Sequence, residues 1–271
     1  MTTTRPMALL IDITRCVGCK ECVRACLEEH GLPGDYEKIT GLSSKSHTAL
    51  TARGELYVRE LCRHCLEPSC ASVCPVGAFE KTAAGPVVYD ANRCMGCRYC
   101  MQACPFNVPK YQWDKAAPAV TKCDFCAPRL AAGKPTACAE ACPAEATVFG
   151  AREDLLAEAH RRIAAEPKKY YPQVYGEKEV GGTSVLFLSP VPFEELGFRT
   201  DLKMTPPHLT AEALAKIPHV VSVGGALLFG IWWITNRREE VARVESEEAR
   251  ARRAARSTES SAREEERHDS R

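Results

Sequence analysis

Sixteen cysteines stand in four consecutive sets of four, and no cysteine lies outside them. The sets are Cys16, Cys19, Cys22 and Cys26; Cys62, Cys65, Cys70 and Cys74; Cys94, Cys97, Cys100 and Cys104; and Cys123, Cys126, Cys138 and Cys142. Every set closes with the same C-x3-C step. Sets one and three keep the spacing C-x2-C-x2-C-x3-C, set two widens the second gap to four residues, and set four widens it to eleven. A C-x2-C-x2-C loop presents three thiolates to three irons of one cube, and the fourth cysteine turns to a second cube. The chemistry this predicts is one-electron transfer through four [4Fe–4S] clusters, with all sixteen cysteines as iron ligands.

The residues around the cysteines fit that chemistry. Proline follows the last cysteine in three sets (Pro75, Pro105, Pro143), and Leu27 takes that place in the first. Gly18 and Gly96 sit inside C-x-G-C loops, where the lack of a Cβ lets backbone N–H groups come close to sulfur. Zinc is the competing metal, but its four-cysteine sites are commonly two C-x2-C pairs, without a recurring C-x3-C-P close. A disulfide framework belongs to short secreted chains. This chain has 271 residues, of which 45% are hydrophobic.

The sets are related to one another. The run DITRCVGC at 12–19 parallels DANRCMGC at 90–97, and CASVCPVGA at 70–78 parallels CAEACPAEA at 138–146. Compact sets thus alternate with widened ones, as in a duplicated two-cluster unit. The expected fold class is α+β: tandem, duplicated bacterial-ferredoxin-like 4Fe–4S domains plus one C-terminal transmembrane helix. Strands are expected at Met7–Ile13, Glu55–Arg59, Val87–Asp90 and Thr147–Phe149, and each C-x3-C stretch should open a short helix. The glycine-rich tract from Gly31 to Arg53 reads as an insertion loop. A helix is expected over Arg152–Glu166, stopped by Pro167, with Leu155, Leu156, Ala159 and Ile163 on one face. Residues 170–207 should hold one strand at Thr183–Leu188 and lie along a partner surface. The expected organisation is 1–150 for the duplicated four-cluster domain, 151–216 for the helix and a partner-binding extension, 217–235 for a transmembrane helix, and 236–271 for a charged cytoplasmic tail.

Ile217 to Ile234 are eighteen residues without a charge, enough to span roughly 27 Å as a helix. Trp232 and Trp233 lie where an aromatic belt would sit. Gly224, Gly225 and Gly230 offer a smooth face to a neighbouring helix. Arg237, Arg238, Arg243, Arg250, Arg252 and Arg253 follow the span, whereas Arg199, Lys203 and Lys216 precede it. The positive-inside rule then puts the C-terminus in the cytoplasm and the cluster domain in the periplasm. The tail from 236 carries ten basic and ten acidic residues and should be a short helix that frays into disorder. Met1 to Arg15 shows no twin-arginine pair and no separate apolar region, so export is expected to rely on a partner's signal.

With these features the chain resembles the four-cluster electron-transfer subunits of membrane-bound respiratory oxidoreductases, over roughly residues 5–235. That group includes the iron–sulfur subunits of formate dehydrogenase, type-2 nickel–iron hydrogenase, and dimethyl sulfoxide, nitrate and polysulfide reductases, and the cysteine pattern is specific for the group, not for one member. The segments VYGEKEVGGT at 174–183 and LSPVP at 188–192, with the C-terminal span, are similar to the hydrogenase and formate dehydrogenase branches. The resemblance implies nested ligand sharing, which the repeats alone leave open against sharing between adjacent sets. One outer cluster would take Cys16, Cys19, Cys22 and Cys142, and the other Cys123, Cys126, Cys138 and Cys26. The inner clusters would take Cys62, Cys65, Cys70 and Cys104, and Cys94, Cys97, Cys100 and Cys74.

The resemblance also implies a function and partners. Electrons would run between a periplasmic catalytic subunit, a nickel–iron hydrogenase by preference, and an integral membrane quinone-reactive subunit. The same role beside a molybdopterin subunit, as in formate dehydrogenase, is the alternative, and a self-contained iron–sulfur reductase is a third reading. The sequence has no dinucleotide fingerprint and no P-loop, so no catalytic residue of its own and no nucleic-acid partner is expected. Among seven histidines, His64 can tune a cluster or merely pack, and His219 can face a haem or quinone site or merely an interface. Lys122 and Arg98, each next to a cysteine, can raise cluster potentials by their charge or be solvated.

Overall fold

A computed structural model of the chain describes residues 5–269 except Ala117 and Lys203. It divides into two compact units, one ending at Leu209 and one beginning at Thr210.

The first unit is organised around strand β1 (Met7–Asp12), which is flanked by β8 (Thr147–Ala151), antiparallel, and by β9 (Val185–Leu188), parallel. Every residue of β1 after Met7 is buried, as suits a central strand covered on both faces. Side chains alternate with the strand period. Leu9 and Ile11 join Val185 and Phe187 in a core with Phe125, Tyr175, Phe193 and Phe198. Ala8 and Leu10 join Leu186 and Leu188 on the other face, under α6 (Arg152–Ala165), which contributes Leu155 and Ala159. Each fully buried leucine here is worth about 1.5–3 kcal/mol of transfer free energy. The expected α6 helix is present, with Leu155, Leu156, Ala159 and Ile163 all on the packed side.

Three hairpins complete the sheets: β2 (Thr48–Arg53) with β3 (Leu56–Leu61), β4 (Phe79–Lys81) with β5 (Val87–Tyr89), and β6 (Lys110–Tyr111) with β7 (Val120–Thr121). Short helices follow or close the cysteine loops: α1 (Glu21–Glu29), α2 (Ser69–Ser72), α3 (Tyr99–Ala103), α4 (Ala127–Ala131) and α5 (Ala137–Glu140). The topology is nested. β1 precedes the first cysteine set, β8 follows the fourth, and they pair; α1 packs on α5. Between them, β4 leaves the second set, β5 leads into the third, and they pair; α2 packs on α3.

Three points differ from the expectations or add to them. The tract 31–53 is not all loop, because Thr48–Arg53 pairs along its full length with β3; TALTAR carries too little apolar patterning to show this. The segment after Pro167 turns inward: Tyr170, Val174, Tyr175, Phe193, Leu196 and Phe198 are buried in the unit's own cores. These side chains therefore pack this chain's own core.

The third point lies in the second unit, which belongs to one helix, α7 (Pro206–Asp269). Its stretch Leu214–Ala254 includes a window long and apolar enough to cross a membrane. Leu227, Leu228, Phe229, Ile231, Trp232 and Trp233 are all exposed. The charged part, expected to fray, is helical through Asp269 and carries the pairs Arg237–Glu240 at 2.8 Å and Arg252–Glu248 at 3.7 Å, of the kind that supports solvated helices.

Candidate metal centres

Each C-x-x-C loop must turn sharply to aim its sulfurs inward, and the backbone shows how. The second spacer residue of all four sets has positive φ: Gly18 (76°), His64 (48°), Gly96 (74°) and Phe125 (65°). Glycine adopts this freely. His64 and Phe125 do so at a cost of about 1–2 kcal/mol, and their rings meet edge to face with centroids 4.8 Å apart. The widened sets thus exchange a free turn for a packed ring pair between the outer and inner units.

The nested topology gathers cysteines from distant parts of the chain. Cys16, Cys19, Cys22 and Cys142 line one cavity, together with Lys20, Tyr57 and Arg59. Cys62, Cys65, Cys70 and Cys104 line another, together with Arg63 and Lys122. Cys26 lies close enough to Cys123 and Cys126 to act electrostatically on both thiols. Cys74 packs with Cys100 in the cluster of side chains around β4 and β5. Backbone N–H groups point at sulfur from Ala78 to Cys74 (3.2 Å), Gly96 to Cys94 (3.4 Å) and Phe125 to Cys123 (3.4 Å); such bonds raise cluster potentials.

Charge tests the fit to an anionic cluster. Burial pushes the free thiols up, Cys22 and Cys100 to about 11 and Cys70 and Cys126 to about 12. These sulfurs become thiolates only with a cation to hold them, which metal coordination supplies. Arg59 is 3% exposed and donates to Thr48 Oγ1 at 3.0 Å and Thr147 Oγ1 at 3.3 Å. Lys122, 6% exposed, donates to the carbonyls of Val87 and Cys123. Neither has a carboxylate partner among the described residues. Burial works against the Arg59 charge, and the sulfurs of Cys138, Cys22 and Cys26 more than offset it. Buried cations need buried anions, and sulfur sites that carry negative charge meet that need.

The histidines divide. His64 is fully buried; its Nδ1 accepts from the Val87 N–H at 2.9 Å, which leaves the proton on Nε2, an atom with no hydrogen-bond partner. His30 bridges sets one and four, with Nε2 2.8 Å from Asp124 Oδ1 and Nδ1 2.9 Å from the Cys26 carbonyl. The Asp124 carboxylate and the Cys26 sulfur raise its pKa to about 11. Sequence reasoning missed this bridge because 94 residues separate its ends. Arg98 is exposed and stacks on Tyr111 and Trp113, 5.8 and 5.1 Å from the ring centroids. His219 lies exposed on α7, in the other unit.

Comparison with known proteins agrees with this chemistry. The profile of the 4Fe–4S dicluster domain matches residues 54–152, which hold sets two to four. A protein of Nitratidesulfovibrio vulgaris is 44% identical over 258 residues, covering 89% of this chain and 70% of that protein. The hydrogenase-2 operon protein HybA of Escherichia coli O157:H7 is 38% identical over 235 residues, covering 70% of this chain and 72% of HybA. The iron–sulfur subunit of the nitrate-inducible formate dehydrogenase of Escherichia coli K12 is 34% identical over 200 residues, covering 67% of each chain. The residues present fit iron–sulfur clusters, and the protein binds them.

Proposed function

This chain belongs to the family of 4Fe–4S electron-transfer subunits of respiratory oxidoreductase complexes, and from that premise we propose that it carries electrons between a periplasmic hydrogenase subunit and a quinone-reactive subunit of the inner membrane. Four [4Fe–4S] clusters are held by all sixteen cysteines in the nested sets given above. The observation that carries the ligand assignment is the pairing of β1 with β8, which brings Cys142 to the cavity of Cys16, Cys19 and Cys22. Cys104 reaching Cys62, Cys65 and Cys70 supports the inner assignment in the same way.

Bound clusters supply one-electron redox steps. The chain's own residues do the rest. The cysteine loops fix the sulfurs, backbone N–H groups and the buried Arg59 and Lys122 offset negative charge, and the aromatic core around Phe125 and Phe187 keeps water out. No side chain is asked to make or break a bond of a substrate. α7 anchors the chain, with its arginine-rich end cytoplasmic, and the membrane subunit packs on its glycines. The likeness to HybA favours hydrogen as the source of electrons; the likeness to the formate dehydrogenase subunit supports formate as the second reading.

Paired cysteine variants test the ligand sets. If Cys16 and Cys142 serve one cluster, the double variant Cys16→Ser with Cys142→Ser loses about four irons, one cube, as the single variants do. If adjacent sets share ligands, the two substitutions strike different clusters and the loss doubles.

A further inference from the structure

Beside the cavity of Cys62, Cys65, Cys70 and Cys104 lies a larger hollow of about 460 Å³ that holds no cysteine. This is the size of an ordinary ligand pocket. Its walls come from the β2–β3 hairpin, the loop after Cys104, and the strap Leu196–Arg199. Four cations line it, Arg53, Arg63, Lys110 and Arg199, against one carboxylate, Glu60. Arg199 is neutralised by Asp201 at 2.6 Å. Arg53 and Lys110 have no side-chain hydrogen bond or ion pair among the described residues. Arg63 is the inner cation. Its guanidinium carbon lies 4.2 Å from the Phe187 ring centroid, 5.0 Å from that of Phe198, and 5.9 Å from those of Phe106 and Tyr175. Its Nη1 is covered and has no hydrogen-bond partner.

Aromatic rings surround this guanidinium, and its Nη1 has no acceptor. A planar fork of donors is matched by a carboxylate, and a covered donor without an acceptor is costly. The rim adds two unpaired cations, with Arg53 exposed on the hairpin end and Lys110 half-buried on β6. An inner charge with further charges spread outside it suits an extended acidic segment better than a compact ion. We infer that this hollow is a docking socket for a carboxylate-bearing segment of a partner subunit in the same respiratory complex. One Asp or Glu side chain sits on Arg63, and further acidic residues lie against Arg53 and Lys110. Arg63 also lines the neighbouring cysteine cavity, so the partner docks against the wall of that redox site. The inference rests on the proposed role as a wired subunit.

The test uses the assembled membrane complex. A photo-crosslinking amino acid replaces Arg53, and as a control Lys134, which is exposed and outside the hollow. Peptide mass spectrometry of the Arg53 adduct should find an acidic segment of another subunit, absent from the control. The variant Arg53→Glu with Lys110→Glu should release that subunit at least tenfold more readily in a salt wash, while iron content stays unchanged. Adducts only to lipid, to a segment without acidic residues, or to nothing would overturn the socket, as would full retention of the partner by the charge-reversed chain. Cluster reduction by hydrogen or formate, followed in the same preparation by electron paramagnetic resonance, reports separately on the wire.

Discussion

Replacing Arg59 with methionine removes a buried positive charge that no carboxylate among the described residues neutralises. Its hydrogen bonds go to Thr48 and Thr147, and its charge acts on Cys138, Cys22 and Cys26, which belong to both proposed outer clusters. A unit charge about 4 Å away is worth roughly 4 kcal/mol at an effective dielectric of 20. Spread over a cube, about half of that reaches the added electron. Roughly 2 kcal/mol is about 90 mV for a one-electron couple, at 59 mV per tenfold. The predicted result is a fall of that order in the midpoint potentials of one or both outer clusters, read by potentiometric titration with electron paramagnetic resonance, with the inner pair little changed. Arg59→Lys keeps the charge and should recover most of the shift, which separates electrostatics from lost packing. Outer potentials that match the parent in the methionine variant would refute the account of Arg59, and so would equal shifts in all four clusters.

Three further outcomes follow from the packing. Gly18→Ala places a Cβ 2.4 Å from the Tyr57 ring at a φ of 76°, so iron content at the Cys16 site should fall; Tyr57→Ala in the same chain should restore it only in part, because the backbone strain of about 1–2 kcal/mol remains. Leu10→Ala empties a fully buried site between β1 and α6 and should cost about 2–5 kcal/mol, seen as a lower temperature of cluster bleaching. Removing the iron with acid and a chelator should unfold the unit ending at Leu209, in which cysteines occupy core positions, while the helical circular dichroism of α7 survives. Equal loss of both signals would contradict a cluster-dependent first unit.

The cysteine spacing made the chemistry legible, and the paired repeats made the duplication legible, because both are written in contiguous residues. β1 and α6 were legible for the same reason: a continuous apolar run and a helical stripe announce themselves locally. The nested strand topology, from which we propose nested ligand sharing, was not, since adjacent and nested sharing have identical local patterns; it depends on β1 finding β8 more than a hundred residues away. The strand Thr48–Arg53 was hidden by weak patterning and a partner that defines it. The inward packing of the aromatic strap after Pro167 was not legible, because apolar residues look alike whether they cover a neighbour or their own core. His64 was singled out for its position, yet its left-handed backbone and its ring contact with Phe125 depend on two cysteine loops meeting in space.

The central claim is that electrons pass through this chain. The most direct measurement is rapid-freeze electron paramagnetic resonance of the assembled complex, with substrate added to oxidised enzyme in the presence and absence of quinone. The account predicts cluster signals that appear before quinol forms, persist when quinone is withheld, and vanish as quinone is reduced; Cys94→Ser should block quinol formation while dye reduction by the catalytic subunit continues. Quinol formed at the parent rate by the Cys94→Ser complex, or clusters that stay oxidised throughout turnover, would contradict it.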